Sequence, residues 1–173
     1  LPTRAYARHL AWSDAEITMT LAELLTPERV IAELQSGENL PAIEEMIARL
    51  VEVEALPESQ KEPALEALSA REDQRSTGIG GGIAIPHAFL PDLEKVVAIF
   101  ARSTPGVDFC ALDRAPVHFI VLFIVPESQY TLHLKTLAAI AKILNSADTR
   151  KRLAEANNEN EMIEVLSQRA AAV

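Results

Sequence analysis

The sequence contains one cysteine, Cys110, in 173 residues. A single thiol cannot build a disulfide framework, and four-thiolate zinc or iron–sulfur sites are excluded. Basic residues are scarce too: 16 Lys and Arg against 25 Asp and Glu leave a formal charge of −9. A nucleic-acid binder needs a basic face to neutralise phosphates, and docking on anionic lipid needs one as well, so neither partner is expected. Long apolar runs are missing. The longest, Val117 to Val125, is interrupted by His118 and is far too short to span a bilayer. No N-terminal stretch has the basic-then-apolar form of a signal peptide. These absences describe an acidic, soluble, cytoplasmic domain with no membrane insertion.

What is present suits one layered domain of ordinary globular composition, 49% hydrophobic and 24% charged. Residues 1–18 mix Arg4, Arg8, His9 and Trp12 without periodicity and read as an N-terminal extension, with the domain proper spanning 19–173. Val30 to Leu34 predicts a short strand. Asn39 and Pro41 open a helix whose Leu40, Ile43, Met46, Ile47, Leu50 and Val51 recur at helical spacing. A second helix is expected over Glu58 to Glu72, with Pro63 in its first turns. Ser76 to Gly82 reads as a glycine-rich loop leading into strand candidates at Ile83–Pro86, Lys95–Ala101 and Val117–Val125. The last two run apolar without alternating, as strands buried on both faces do. From Thr131 the helical period returns through Leu134, Leu137, Ala138, Ala141 and Leu144, and two further helices are expected at Asp148–Ala156 and Asn160–Arg169. Helices, then strands, then helices make an α/β domain.

The chemistry concentrates after the glycines. Gly78-Ile79-Gly80-Gly81-Gly82-Ile83 is neither a dinucleotide fingerprint nor a P-loop, since Ile83 stands where the first needs glycine and no Gly-Lys-Ser/Thr follows. It runs into Ile85-Pro86-His87, where proline fixes the backbone ahead of an imidazole and glycine backbone can approach a ring closely. Of the four histidines, His9 lies in the extension, His118 falls inside an apolar strand as a structural residue, and His133 begins a helix. His87 is the one preceded by open amides. That setting suits phosphoryl transfer to a neutral ring nitrogen, with donors arrayed for the phosphoryl oxygens.

Here the sequence resembles a known family. Arg71-Glu72, Ser76-Thr77-Gly78-Ile79-Gly80 and Ile83-Ala84-Ile85-Pro86-His87-Ala88 resemble the active-site signature of enzyme IIA domains of the phosphoenolpyruvate-dependent sugar phosphotransferase system, fructose/mannitol type, a family that includes the nitrogen-regulatory IIA proteins. Further matches are Ala111-Leu112-Asp113, Val125-Pro126-Glu127 and His133-Leu134-Lys135-Thr136-Leu137. The resemblance implies a mixed β-sheet flanked by helices on both sides. It implies that His87 is the phosphoacceptor, expected at its tele nitrogen, that Arg71 contacts the phosphoryl oxygens and that His133 is a second active-site histidine. The implied donor is HPr or a nitrogen-branch relative, and the implied recipient is the cysteine of enzyme IIB or, for a regulator, a target protein. Ser76, Thr77 and Gly80 are further phosphate-binding candidates, with a turn role competing equally for the two hydroxyls. No cofactor or metal is implied. Cys110 lies within Asp108-Phe109-Cys110-Ala111-Leu112-Asp113, which fits a IIA pattern and not the phosphorylated cysteine of a IIB domain, so it reads as a small buried or turn residue.

The chemistry of the residue types agrees with these roles. Arg71 is a permanent cation with a planar fork of donors, although a cation near a helix C-terminus also serves the helix dipole. His133 near a helix N-terminus tends to stay neutral, with one N–H to give. The charge is unevenly spread: residues 1–70 hold 13 acidic and 5 basic side chains, and residues 71–173 hold 12 and 11. The acidic first part is a poor place to receive a phosphoryl group, and Arg71, His87 and His133 all fall in the near-neutral remainder.

Overall fold

The computed structural model describes residues 21–167. The expected extension over 1–18, the domain start at Met19 and the helix end at Arg169 lie outside the described residues.

Two long strands, β5 (Val97–Val107) and β6 (Val117–Pro126), pair antiparallel at the centre of a six-stranded mixed sheet. Both run apolar because both of their faces are covered. Along β6, Phe119, Val121, Phe123 and Val125 point into one buried cluster while Ile120, Leu122 and Ile124 point into the other, the two-residue alternation of a strand. Beyond β5 lies β1 (Val30–Ile31), parallel to it. The other edge of β6 carries two short parallel strands in succession, β3 (Ile83–Ala84) and β4 (His87–Leu90), and β2 (Gly78–Gly80) lies antiparallel outside β3. One face of the sheet is covered by α2 (Asn39–Glu52) and α3 (Lys61–Gln74). The opposite face is covered by α1 (Leu21–Leu24), α4 (Tyr130–Leu144), α5 (Ala147–Glu155) and α6 (Glu159–Leu166). The expected fold, a mixed sheet flanked by helices on both sides, is the one observed.

Several elements differ from their sequence-based outlines. Val30 and Ile31 form the ladder with β5, and Leu34 N–H still donates to Arg102 O at 2.8 Å; beyond it the Glu45 carboxylate accepts the backbone N–H groups of Gln35 and Ser36 and the Ser36 hydroxyl. Glu58–Gln60 form a 3-10 turn, and the α-helix begins at Lys61. Pro63 then sits third in α3, where its missing N–H would have had no helical partner. The buried side of α4 is His133, Thr136, Ile140 and Leu144, so the expected stripe is rotated and Leu134 is left 49% exposed. Cys110 is exposed, in a turn with φ +50° where its N–H donates to Asp108 Oδ1 at 2.9 Å, so the turn alternative holds and the buried one does not.

The glycine-rich segment is not a loop throughout. It folds into the β2–β3 hairpin, closed by Gly81 and Gly82 at φ +66° and +79°, the left-handed pair that a two-residue hairpin turn requires. Gly78 serves another purpose: a Cβ there would stand 2.7 Å from Ala111 Cβ. That close approach lets β2 lie against the Phe109–Ala111 segment. Gly78→Ala should therefore cost about 1–3 kcal/mol through overpacking. Gly37→Ala, where an added Cβ meets nothing within 4 Å, should change stability by less than about 0.5 kcal/mol. Urea unfolding of the two variants checks the contrast, and equal midpoints would contradict the packing argument.

Candidate functional site

The site begins where the edge pairing of β6 is interrupted. Proline has no N–H to donate, so the ladder breaks at Ile85-Pro86 between β3 and β4. The break is held from both sides: Ile85 N–H donates to Thr77 O at 3.1 Å, and Phe123 N–H donates to Pro86 O at 3.0 Å. His87 follows as the first residue of β4. In that strand Ala88 and Leu90 enter the core under α2 and α3, so His87 and Phe89 project to the α4 side. The half-buried His87 ring places Nδ1 2.9 Å from Ile85 O. A carbonyl only accepts, so Nδ1 carries the hydrogen and the neutral ring presents a bare Nε2 lone pair.

His133, in the first turns of α4, packs beside it with ring centroids 5.3 Å apart. Phe89 and Phe123 meet the His133 ring edge-on at 5.1 and 6.0 Å, and Tyr130 lies over Phe89 at 5.0 Å. This apolar setting leaves His133 3% exposed, and its Nε2 has no hydrogen-bond partner among the described residues. An unpaired buried polar atom costs about 1–3 kcal/mol. Burial holds both imidazoles below their ordinary range. For His133 burial dominates, the neighbouring His87 adds to it, and the pKa falls to about 4. For His87 burial is again the main cause; the Ile85 carbonyl and Glu72 oppose it and the Arg71 guanidinium reinforces it. Two neutral rings therefore face each other at neutral pH.

His87 opens onto a cleft of about 380 Å³ bounded by the end of α3, by Gly78 and Ile79 of β2, by Leu112 and by Leu137 of α4. Arg71 lines it and acts electrostatically on His87, while its Nη1 donates to Arg75 O at 2.9 Å at the end of α3. The competing role at the helix terminus is thus also present. The other candidates are placed differently. Thr77 is buried, and both its hydroxyl and its N–H donate to the Glu72 carboxylate, at 2.6 and 3.1 Å. The Ser76 hydroxyl donates to Phe109 O at 2.5 Å and accepts from Gly78 N–H. Neither hydroxyl has a hydrogen left for a ligand in this arrangement; both anchor β2. Gly80 stands at the far end of β2 beside Asp113, whose carboxylate accepts Gly81 N–H at 3.0 Å. Those two glycines and Gly82 face Asp113, Arg150 and His118, not His87. Sequence reasoning overlooked Arg75, which lines the cleft, and Phe89, which packs on His133. The alternation in β4 points to Phe89, while for Arg75 the only signal was a cation directly after a helix.

Among the described residues no group of three or more His, Cys, Asp or Glu is disposed to hold a metal ion, and no helix is long and apolar enough to cross a membrane.

The family model described as the phosphoenolpyruvate-dependent sugar phosphotransferase system, EIIA 2, matches residues 23–169, and the chain belongs to that family. A nitrogen regulatory protein of Bradyrhizobium diazoefficiens is 34% identical over 86% of this chain and 95% of its own length. A fructose-specific EIIABC component of Bacillus subtilis is 35% identical over 87% of this chain but only 23% of that larger protein. The crystal structure of nitrogen regulatory protein IIA-Ntr from Neisseria meningitidis superposes with a TM-score of 0.76 at 28% identity, covering 84% of this chain and 97% of that one. The chain is accordingly of a phosphotransfer family that has both sugar-transport and nitrogen-regulatory members.

The burial of His133 has a consequence for pH. The unfolded chain, with an ordinary imidazole near 6.5, takes up the proton before the folded chain does at about 4. Stability rises with pH where the unfolded state binds more protons, so the contribution of His133 is complete above about 6.5 and is lost as pH falls toward 4. The unfolding free energy of wild type relative to His133→Asn should therefore decline through that window. Urea titrations at a series of pH values measure it, and parallel profiles would refute the assignment.

Proposed function

We propose that the protein is a phosphocarrier whose His87 Nε2 accepts a phosphoryl group from HPr, or from an HPr-like carrier of the nitrogen branch, and passes it to the cysteine of enzyme IIB. The observation that carries this reading is the 2.9 Å contact from His87 Nδ1 to Ile85 O, which leaves the tele nitrogen free in a cleft beside Arg71. In the first step the Nε2 lone pair bonds to phosphorus while the bond from phosphorus to the donor breaks, and its electron pair leaves with the donor. Nδ1 keeps its proton, and the positive charge spreading over the ring is met by the Ile85 carbonyl. In the second step a thiolate forms the S–P bond and Nε2 recovers its pair. Arg71 is a donor to the phosphoryl oxygens. A charge-assisted hydrogen bond of about 1.5–3 kcal/mol is enough for one to two decades of rate if it forms mainly in the transition state. His133 supplies a second, neutral donor from an Nε2 that has no other partner. Ser76, Thr77 and Gly80 belong to the scaffold that holds β2.

A second reading is a regulator in which phosphorylation of His87 changes affinity for target proteins. It is favoured by the nitrogen regulatory relatives, which match over nearly their whole lengths. A phosphoryl group adds about −1.5 to −2 charge at neutral pH. It would do so beside the exposed side chains of Ile79, Leu112, Tyr130 and Leu134, an apolar rim suited to a protein partner.

His87→Ala should abolish acid-labile labelling by phosphoenolpyruvate, enzyme I and HPr; full labelling of that variant would falsify the assignment. His133→Ala should still take up phosphate but transfer it onward more slowly. Offering the labelled protein to fructose-type and mannitol-type IIB domains separates the two readings, since rapid transfer identifies a carrier and no transfer to either identifies a regulator.

A further inference from the structure

We infer that Arg75 is a second guanidinium for the phosphoryl group on His87, an inference that rests on the reading of His87 as the phosphoacceptor. Three observations lead to it. First, among the described residues Arg71 and Arg75 are the only formally charged side chains lining the cleft, and no carboxylate joins them. The neighbouring acids are held elsewhere: Glu72 is buried on Thr77, and Asp73 lines the groove on the opposite side of α3. Among the described residues neither arginine forms an ion pair with a carboxylate. The cleft thus holds two unneutralised cations in a chain of net charge −9, and a phosphohistidine brings about −1.5 to −2 to match them.

Second, the hydroxyl donors in the cleft wall are unavailable. The Ser76 and Thr77 hydroxyls donate to Phe109 O and to Glu72, and Arg71 has one Nη1 hydrogen committed to Arg75 O. The four remaining N–H groups of Arg71 and the Nε2 of His133 do not fill the acceptor capacity of three phosphoryl oxygens, each of which takes more than one hydrogen bond. A guanidinium carries five N–H donors in a planar fork matched to phosphate oxygens. Among the described residues those of Arg75 have no hydrogen-bond partner, and they line the same cleft.

Third, the backbone of Arg75 is already fixed while its side chain is free. Its N–H donates to Arg71 O at 3.4 Å, its carbonyl accepts from Arg71 Nη1, and it sits at φ −168°, ψ 135°, extended backbone open to any residue. The reciprocal bonds tie the two arginines into one unit at the end of α3. A substitution of the Arg75 side chain leaves both backbone bonds in place, so its effect reports on the guanidinium and not on the fold.

The test uses the whole chain as wild type, Arg75→Ala and Arg75→Lys, phosphorylated by phosphoenolpyruvate, enzyme I and HPr. Two quantities are read: the phosphorylation rate at saturating HPr, and the midpoint of the phosphoryl group's second ionisation by phosphorus NMR titration. Arg75→Ala should slow phosphorylation about three- to tenfold, the range for a partly exposed charge-assisted contact. It should also raise the ionisation midpoint, because a lost cation disfavours the dianion, and Arg75→Lys should restore part of both. An unchanged rate and midpoint overturn the inference. So does slowing seen only below saturation with an unmoved midpoint, which would make Arg75 a docking contact for the donor protein. Both of those results leave the role of His87 standing, whereas labelling that persists in His87→Ala removes the inference together with the reading beneath it.

Discussion

The hydrogen bond from His87 Nδ1 to the Ile85 carbonyl is the constraint on which the chemistry of this chain depends. It selects the tautomer, aims the bare nitrogen, and provides a fixed dipole for positive charge that develops on the ring. A carbonyl two residues away along a flexible chain could not do this. Here Ile85 is bracketed by two anchor points on β6: Gly82 O accepts from His118 and Phe119 N–H, and Pro86 O accepts from Phe123 N–H. Between those anchors β3 ends, Pro86 removes a donor from the ladder, and β4 starts with the ring on the α4 side. The central strand pair, the most deeply buried part of the sheet, thus sets the orientation of one imidazole at the sheet edge. Rigid elements position a reacting group more exactly than loops do.

Two imidazoles 5.3 Å apart are compatible with this arrangement because both stay neutral. Burial among Phe89 and Phe123 accomplishes that for His133, and a charged His87 would further disfavour protonation of His133. The cost is an unsatisfied Nε2 in an apolar pocket. Core packing alone would be served better by a leucine at position 133; under the proposed function the polar atom has a phosphoryl oxygen to bond. The Glu72–Thr77 contact is the complement: a buried carboxylate this close to the ring stays tied to β2 through three donor contacts, and the cleft keeps its cations unopposed.

Much of this was legible in the residues. Helical spacing marked α2, and Ile43, Met46, Ile47 and Leu50 are its buried face. The apolar runs Val97–Ala101 in β5 and Phe119–Val125 in β6 announced strands covered on both sides. The dense set of residues around Ile85-Pro86-His87 named the family. The missed features arise from tertiary effects that local pattern does not carry. Gly78 and Gly80 disfavour a strand and the segment pairs anyway, because glycine admits the close contact with Ala111. β4 is four residues bounded by Pro86 and Pro91, too short for alternation to declare itself. On α4 the buried stripe is set by the ring of His133 entering the aromatic cluster, which apolar counting assigned to Leu134. The hydroxyls of Ser76 and Thr77 looked like donors in sequence, and their carboxylate and carbonyl partners appear only once α3 and Phe109 are folded against β2.

The charge distribution gains its meaning from α3. Along the chain, acidity falls away after residue 70, which looks like a boundary between segments. In three dimensions the boundary runs around a helix. Glu62, Glu66 and Asp73 recur at helical spacing and face the groove shared with α2, where Glu44 adds a fourth carboxylate. Arg71, on the other side of α3, and Arg75, extended just past its end, line the cleft with His87. Sequence distance between Asp73 and the two arginines is two residues, yet the helix turns the carboxylate away from the cleft that both guanidiniums line. A strongly acidic protein can therefore present a locally cationic site without a cationic segment. The same geometry explains why net charge, which bears on a nucleic-acid partner, says nothing about affinity for a single phosphoryl group: the first is decided over a whole face, the second by where each charge sits around one helix.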